Sequence, residues 1–111
     1  MKSESVKILY SGFWDYPLAF TARWEENLYL FVRDFDDDKD EYENHYRVYL
    51  MPLWNDEKIE DSWLRIETQA TQYLGEVAVE DVSFDSTHRS EIGTAIFQTL
   101  AAPRELAEAA L

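Results

Sequence analysis

The sequence predicts an α+β fold: a four-stranded antiparallel meander sheet with one long helix and one or two shorter C-terminal helices packed on one face. Three observations lead there. Apolar and polar residues alternate in several runs of the first half, apolar residues recur at helical spacing in the second, and the short connections favour antiparallel neighbours.

Residues 6–10 alternate Val6, Ile8 and Tyr10 against Lys7 and Leu9 and predict a first strand, stopped at Ser11-Gly12. The connection that follows has turn residues at both ends yet holds Phe13, Trp14 and Tyr16. Residues 18–24 and 28–35 predict the second and third strands. Glu25-Glu26-Asn27 is read as a three-residue link whose Asn tolerates a left-handed backbone. After an acidic stretch over 36–44, residues 45–51 form the fourth strand, ended by Pro52.

Asn55 or Asp56 is placed to cap the long helix, along which Ile59, Trp63, Ile66, Ala70 and Tyr73 recur at helical spacing until Gly75 stops it. Val77, Val79, Val82 and Phe84 then form a short strand or extended arm. A second helix opens at Ser86 or Thr87 with Ile92, Ile96 and Leu100 on one face, and Pro103 starts a short terminal helix carrying Leu106, Ala110 and Leu111. With no repeat and no Gly/Ser linker, residues 1–111 read as a single acidic α+β domain.

Composition narrows the function. An apolar fraction of 46% and an aromatic fraction of 15% belong to a chain with a packed core and not to an acidic disordered one. The formal charge of −13 opposes direct binding of nucleic acid or anionic membrane surfaces and favours a basic protein partner, although such charge also serves solubility alone. The chain has no cysteine, and no apolar run of the kind a signal peptide or a membrane span needs, so a cytoplasmic location is expected, as monomer or homodimer.

Catalytic and cofactor patterns are missing. Asp34, Asp36, Asp38 and Asp40 have the alternate spacing of a calcium loop, but Lys39 and His45 stand where an EF-hand needs Gly and Glu. His45 and His88 share no metal-ligand spacing, and no phosphate-binding glycine motif occurs. No catalytic residue, metal site or cofactor is therefore assigned.

Two surfaces remain. Asp34, Asp36, Asp37, Asp38, Asp40, Glu41 and Glu43 crowd one loop, with Trp14 and Trp54 as candidate aromatic anchors for a partner. The alternative reading of both tryptophans is that they plug the end of the sheet. Alternation along the strands puts Leu18, Phe20, Ala22 and Trp24 on one sheet face with Leu28, Leu30, Val32, Tyr46, Val48 and Leu50, the natural core side. Arg23, Arg33 and Arg47 then lie on the other, among Tyr29, Phe31 and Tyr49. An arginine–aromatic face of this kind either stacks and pairs within the sheet or accepts a small anionic ligand.

The expected function is a non-catalytic acidic interaction module binding a basic protein surface, as an inhibitor, immunity-type or antitoxin-like protein would. A small-molecule or anion-binding domain using Arg23, Arg33, Arg47, Tyr29 and Tyr49 is the first alternative. A small hydrolase or isomerase, which requires a carboxylate or histidine with a displaced pKa in a cleft, is the second.

Overall fold

The computed structural model describes residues 5–13, 16–84 and 90–100. Among them the chain is mostly sheet. Strands β1 (Ser5–Phe13), β2 (Pro17–Trp24), β3 (Asn27–Val32), β6 (His45–Met51), β7 (Gln72–Ala78) and β8 (Glu91–Gly93) form one antiparallel sheet in the order β7-β6-β3-β2-β1-β8. A separate two-stranded sheet, β4 (Phe35–Asp36) with β5 (Glu41–Tyr42), rises between β3 and β6. Among the described residues helices are limited to α1 (Asp56–Glu60), α2 (Ala95–Thr99) and two 3-10 turns, Ile66–Gln69 and Val79–Asp81.

The expected four-stranded sheet with one long helix is therefore overturned: the sheet has six strands, and the long helix does not form. Asn55 caps α1 as expected, its side chain accepting from the Lys58 amide at 2.8 Å, but the helix ends after five residues. Arg65 then adopts a left-handed backbone, with φ of 54°, which no α-helix tolerates in its interior. The segment predicted as the end of that helix is instead edge strand β7.

The strand carries a bulge. Val48 of β6 faces Gly75 while the next residue, Tyr49, faces Tyr73, so Leu74 is an extra residue in β7. Leu74 and Val77 consequently pack on the same core although three residues apart, while Ile59, Trp63, Ile66 and Ala70, whose spacing predicted the helix, pack on the second core from α1 and the turns that follow it. Gly75 takes a φ of 120°, a region open only to glycine at low cost, and thereby makes the bulge possible.

The second predicted helix is corrected in the same way. Its start at Ser86 or Thr87, like the predicted terminal helix after Pro103, lies outside the described residues. Glu91–Gly93 is strand β8, paired with β1, and only Ala95–Thr99 is helical. Pairing on the outer edge of β1 satisfies backbone groups that a helix at this position would leave open, and the Ile8 amide donates to the Ser90 carbonyl at 2.7 Å.

The β2–β3 turn decides which residues face which way. Trp24 pairs with Asn27, so the loop is Glu25-Glu26 alone, both residues left-handed with φ of 47° and 68°. This is the backbone of a type I′ hairpin turn. A three-residue loop would have paired Trp24 with Leu28; the two-residue loop shifts the register by one and turns every side chain of β3 over. Tyr29 and Phe31 accordingly join Phe20 and Ala22, while Leu28 and Leu30 join Thr21 and Arg23.

Both faces are covered. The first packs Ile8, Phe20, Tyr29, Phe31, Tyr46 and Val48 under Val79, Val82, Ile96 and Phe97, and the second packs Leu28, Leu30 and Met51 under Ile59 and Ile66. A run that is buried on both sides, as Leu28 to Phe31 is, carries no alternation for a sequence reading to use.

Because left-handed backbone costs a side-chain-bearing residue roughly 1–2 kcal/mol, replacing Glu25-Glu26 by Asn-Gly is expected to stabilise the fold by about 1 kcal/mol once the extra unfolded-state freedom of Gly is subtracted. Urea unfolding checks it: the midpoint should rise with the slope unchanged.

Candidate functional site

The acidic residues form a rooted hairpin and not a loose loop. The last main-sheet hydrogen bond on this side runs from the Arg33 amide to the Leu18 carbonyl at 2.9 Å, and the chain then leaves the sheet. The Glu43 amide donates to the Asp34 carbonyl at 2.8 Å, and above it Phe35 pairs with Tyr42 and Asp36 with Glu41. The turn is closed by Asp36, whose Oδ1 accepts from the amides of Asp38 at 2.9 Å and Lys39 at 3.2 Å. That is the local bond for which Asp is favoured in turns. Asp40 takes the left-handed backbone that lets the chain return.

Two arginines hold the root. Arg33 is buried, at 6% exposure; its Nε donates to the Glu43 carbonyl at 2.9 Å and its guanidinium lies over the Tyr42 ring at 5.7 Å. Arg47, from β6, donates through Nη2 to Asp34 Oδ1 at 2.6 Å and lies 5.8 Å from the Tyr49 ring. Burial works against the Arg47 charge, but the Asp34 carboxylate, helped by Tyr49 and Glu67, more than offsets it and holds the guanidinium above its ordinary pKa. Burial raises the Tyr49 hydroxyl's pKa while the neighbouring Arg47 opposes that shift.

On this root stands a surface with seven carboxylates and one lysine within residues 34–43. Asp34 is engaged by Arg47, whereas Asp37, Asp38, Asp40 and Glu41 are exposed. In their midst Phe35 is 46% exposed, held edge-on against Tyr42 with ring centroids 5.1 Å apart. A half-exposed phenyl ring, fixed in place and rimmed by carboxylates, is the combination found at the centre of polar-rimmed protein interfaces.

The other residues singled out in the sequence lie elsewhere. Trp14 is outside the described residues. Trp54 follows the far end of β6, about 20 Å from the hairpin root at the rise of an extended strand. It packs on the second core under the Lys58 ammonium, 5.1 Å from its ring centroid.

The three arginines do not converge. Arg23 and Arg47 share the second face but stand opposite Leu28 and Val32, at the two ends of β3, about 13 Å apart along the strand. Arg33 belongs to the hairpin root, and Tyr29 lies in the first core, its ring 5.1 Å from Phe97. Arg23 donates through Nη2 to the Trp54 carbonyl and to Asp56 Oδ1, tying α1 to β2.

Phe35 is the exposed ring of this hairpin that the sequence reading did not single out, having placed it at the end of the third strand. Its signal was its position inside the acidic run, where an aromatic ring has no core to enter.

For catalysis or metal binding the described residues offer little. Among them no three His, Cys, Asp or Glu side chains gather as metal ligands, and His45 meets only Glu76, at 3.7 Å. No helix among the described residues is long and apolar enough to cross a membrane. The chain matches no protein-family model, and no curated protein or solved structure matches it.

Proposed function

We propose that this chain is a non-catalytic acidic interaction module that binds a basic protein surface, and that the β4–β5 hairpin is its contact. The observation that carries the reading is Phe35, half exposed on a rigidly rooted hairpin and surrounded by carboxylates. In this division of labour the carboxylates steer a cationic partner during approach, and the ring supplies apolar area that is buried on contact. An inhibitor, an immunity-type protein or an antitoxin-like protein works through such a surface, covering a basic functional groove on its target.

A tagged chain used as bait in a lysate of its source cells, at about 50 mM and about 500 mM salt, tests the reading; exposed charge pairing is strongly screened across that range. A basic protein is expected to be retained at low salt and weakened at high salt. Phe35→Ser leaves every carboxylate in place, so it should weaken that complex about tenfold or more, chiefly through faster dissociation, as loss of an interface anchor does. Equal capture by the wild type and by Phe35→Ser would remove the hairpin from the contact, and capture of no basic protein at either salt would end the proposal.

A further inference from the structure

The second face of the sheet carries an open groove between α1 and the β1–β2 ladder, with a volume of about 490 Å³. Leu9, Leu28 and Ile59 give it an apolar lining, and Lys7, Thr21 and Arg23 line it with polar groups. That size lies within the range of clefts that hold small organic ligands. We propose that the groove binds a small carboxylate with an apolar body.

Three observations support an anionic group at one end and an apolar body at the other. The first is Thr21: it is only 2% exposed and lines the groove, yet its hydroxyl has no hydrogen-bond partner among the described residues. The oxygen is not itself enclosed, since Arg47 Nε is the one buried side-chain polar atom without a partner among the described residues, so the hydroxyl is open to a ligand oxygen from the groove.

The second is the placement of the cations. The β1–β2 pairing ends at Ile8 with Ala22, and the next residue on each strand, Lys7 and Arg23, lines the groove. Like charges close together on neighbouring strands repel one another, and a bound anion reverses the sign of that interaction.

The third is spare donor capacity. Arg23 uses only Nη2, on the Trp54 carbonyl and Asp56, so among the described residues Nε and Nη1 are without partners. Lys7 makes no ion pair with a described residue. Two carboxylates are close: Asp56, which also lines the groove and is held by Arg23, and Glu91, which pairs across from Lys7 and accepts from Ser5 Oγ at 3.1 Å. In a chain of net charge −13, two adjacent cations with unused donors above an apolar trough form a local exception. A carboxylate accepts from a guanidinium and an ammonium together, and a hydrocarbon or aryl body lies on Leu9, Leu28 and Ile59.

This site is independent of the hairpin, which stands at the opposite end of β3.

Amide-resolved NMR titration with octanoate and with its neutral analogue octanamide provides the test. Octanoate is expected to shift the Leu9, Thr21 and Ile59 amides saturably, and octanamide to bind about tenfold more weakly, the difference a charge-assisted hydrogen bond makes. Lys7→Gln, at an exposed position that leaves the fold intact, should weaken octanoate about fivefold or more, and Thr21→Val, similar in volume, should weaken it as well. Equal binding of octanamide, undiminished binding by Lys7→Gln, shifts confined to the exposed Leu53 and Leu64, or no saturable shift at millimolar octanoate would each overturn the proposal.

Discussion

Phe20→Ala is expected to lower the stability of the fold by about 3–5 kcal/mol, the range for removing a large ring from a packed core. Phe20 is fully buried in β2. It stacks on Phe31 at 4.5 Å with the rings 8° from parallel, and meets Tyr46 and Phe84 edge-on at 5.1 and 5.6 Å. Truncation leaves three rings facing a cavity that none of them fills without leaving its rotamer. Tyr46 is the least able to move, because its hydroxyl donates to the Pro17 carbonyl at 2.7 Å. Small domains have only about 5–15 kcal/mol in total, so the variant should sit near its unfolding transition at growth temperature. Urea unfolding at 25 °C reads the loss directly. Phe20→Leu, which keeps most of the volume, should cost clearly less, and a near-neutral Phe20→Ala would mean that the first face is not the main core.

The second large effect is kinetic. Changing Asp36, Asp37, Asp38 and Asp40 together to Asn is expected to slow association with a basic partner about tenfold or more at about 50 mM salt, because steering scales with local field. The variant removes four of the 13 excess negative charges while leaving the hairpin built. Asn at position 36 retains the oxygen that accepts from the amides of Asp38 and Lys39, and Asn at position 40 tolerates the left-handed backbone. Raising salt to about 500 mM should bring the two on-rates together, since the Debye length then falls to a few ångströms. Dissociation should change little, in contrast to Phe35→Ser. The two variants thus divide the interface into a charged part that governs approach and an aromatic part that governs residence. On-rates that are equal at low salt would show that the hairpin charge serves solubility alone.

How much of this was legible before the structure differs between the site and the fold. The acidic run was plain, because seven carboxylates within residues 34–43 have no place in a core. The role of Arg33 and Arg47 was not. Stacking and pairing of these arginines was one of the two readings of that sheet face, but strand alternation assigned them to an open sheet face and gave no hint of a hairpin root; only the folded hairpin brings Arg33 under Tyr42 and Arg47 onto Asp34. The groove was invisible for the same reason: Lys7, Thr21, Arg23 and Ile59 come from three elements and share no motif.

By itself the sequence determined the strongly negative surface, the presence of a real core, the strands around residues 6–10, 18–24 and 45–51, the third strand of 28–35 as far as Val32, beyond which the chain leaves the main sheet, and the Asn55 cap. Each follows from local chemistry: charge stays in water, alternating apolar residues pair as strands, and a short polar side chain caps a helix. Tertiary structure decided the rest. One residue fewer in the Glu25-Glu26 turn reversed the faces of β3, and one residue more at Leu74 set Leu74 and Val77 of the edge strand on the same core. Single-residue changes of register leave composition and periodicity nearly unaltered, while hydrogen bonding across the sheet makes them all-or-none. The open edges of β6 and β1, whose backbone groups needed partners, hold β7 and β8 in the sheet, although Tyr73 and Ile92 had been read at helical spacing.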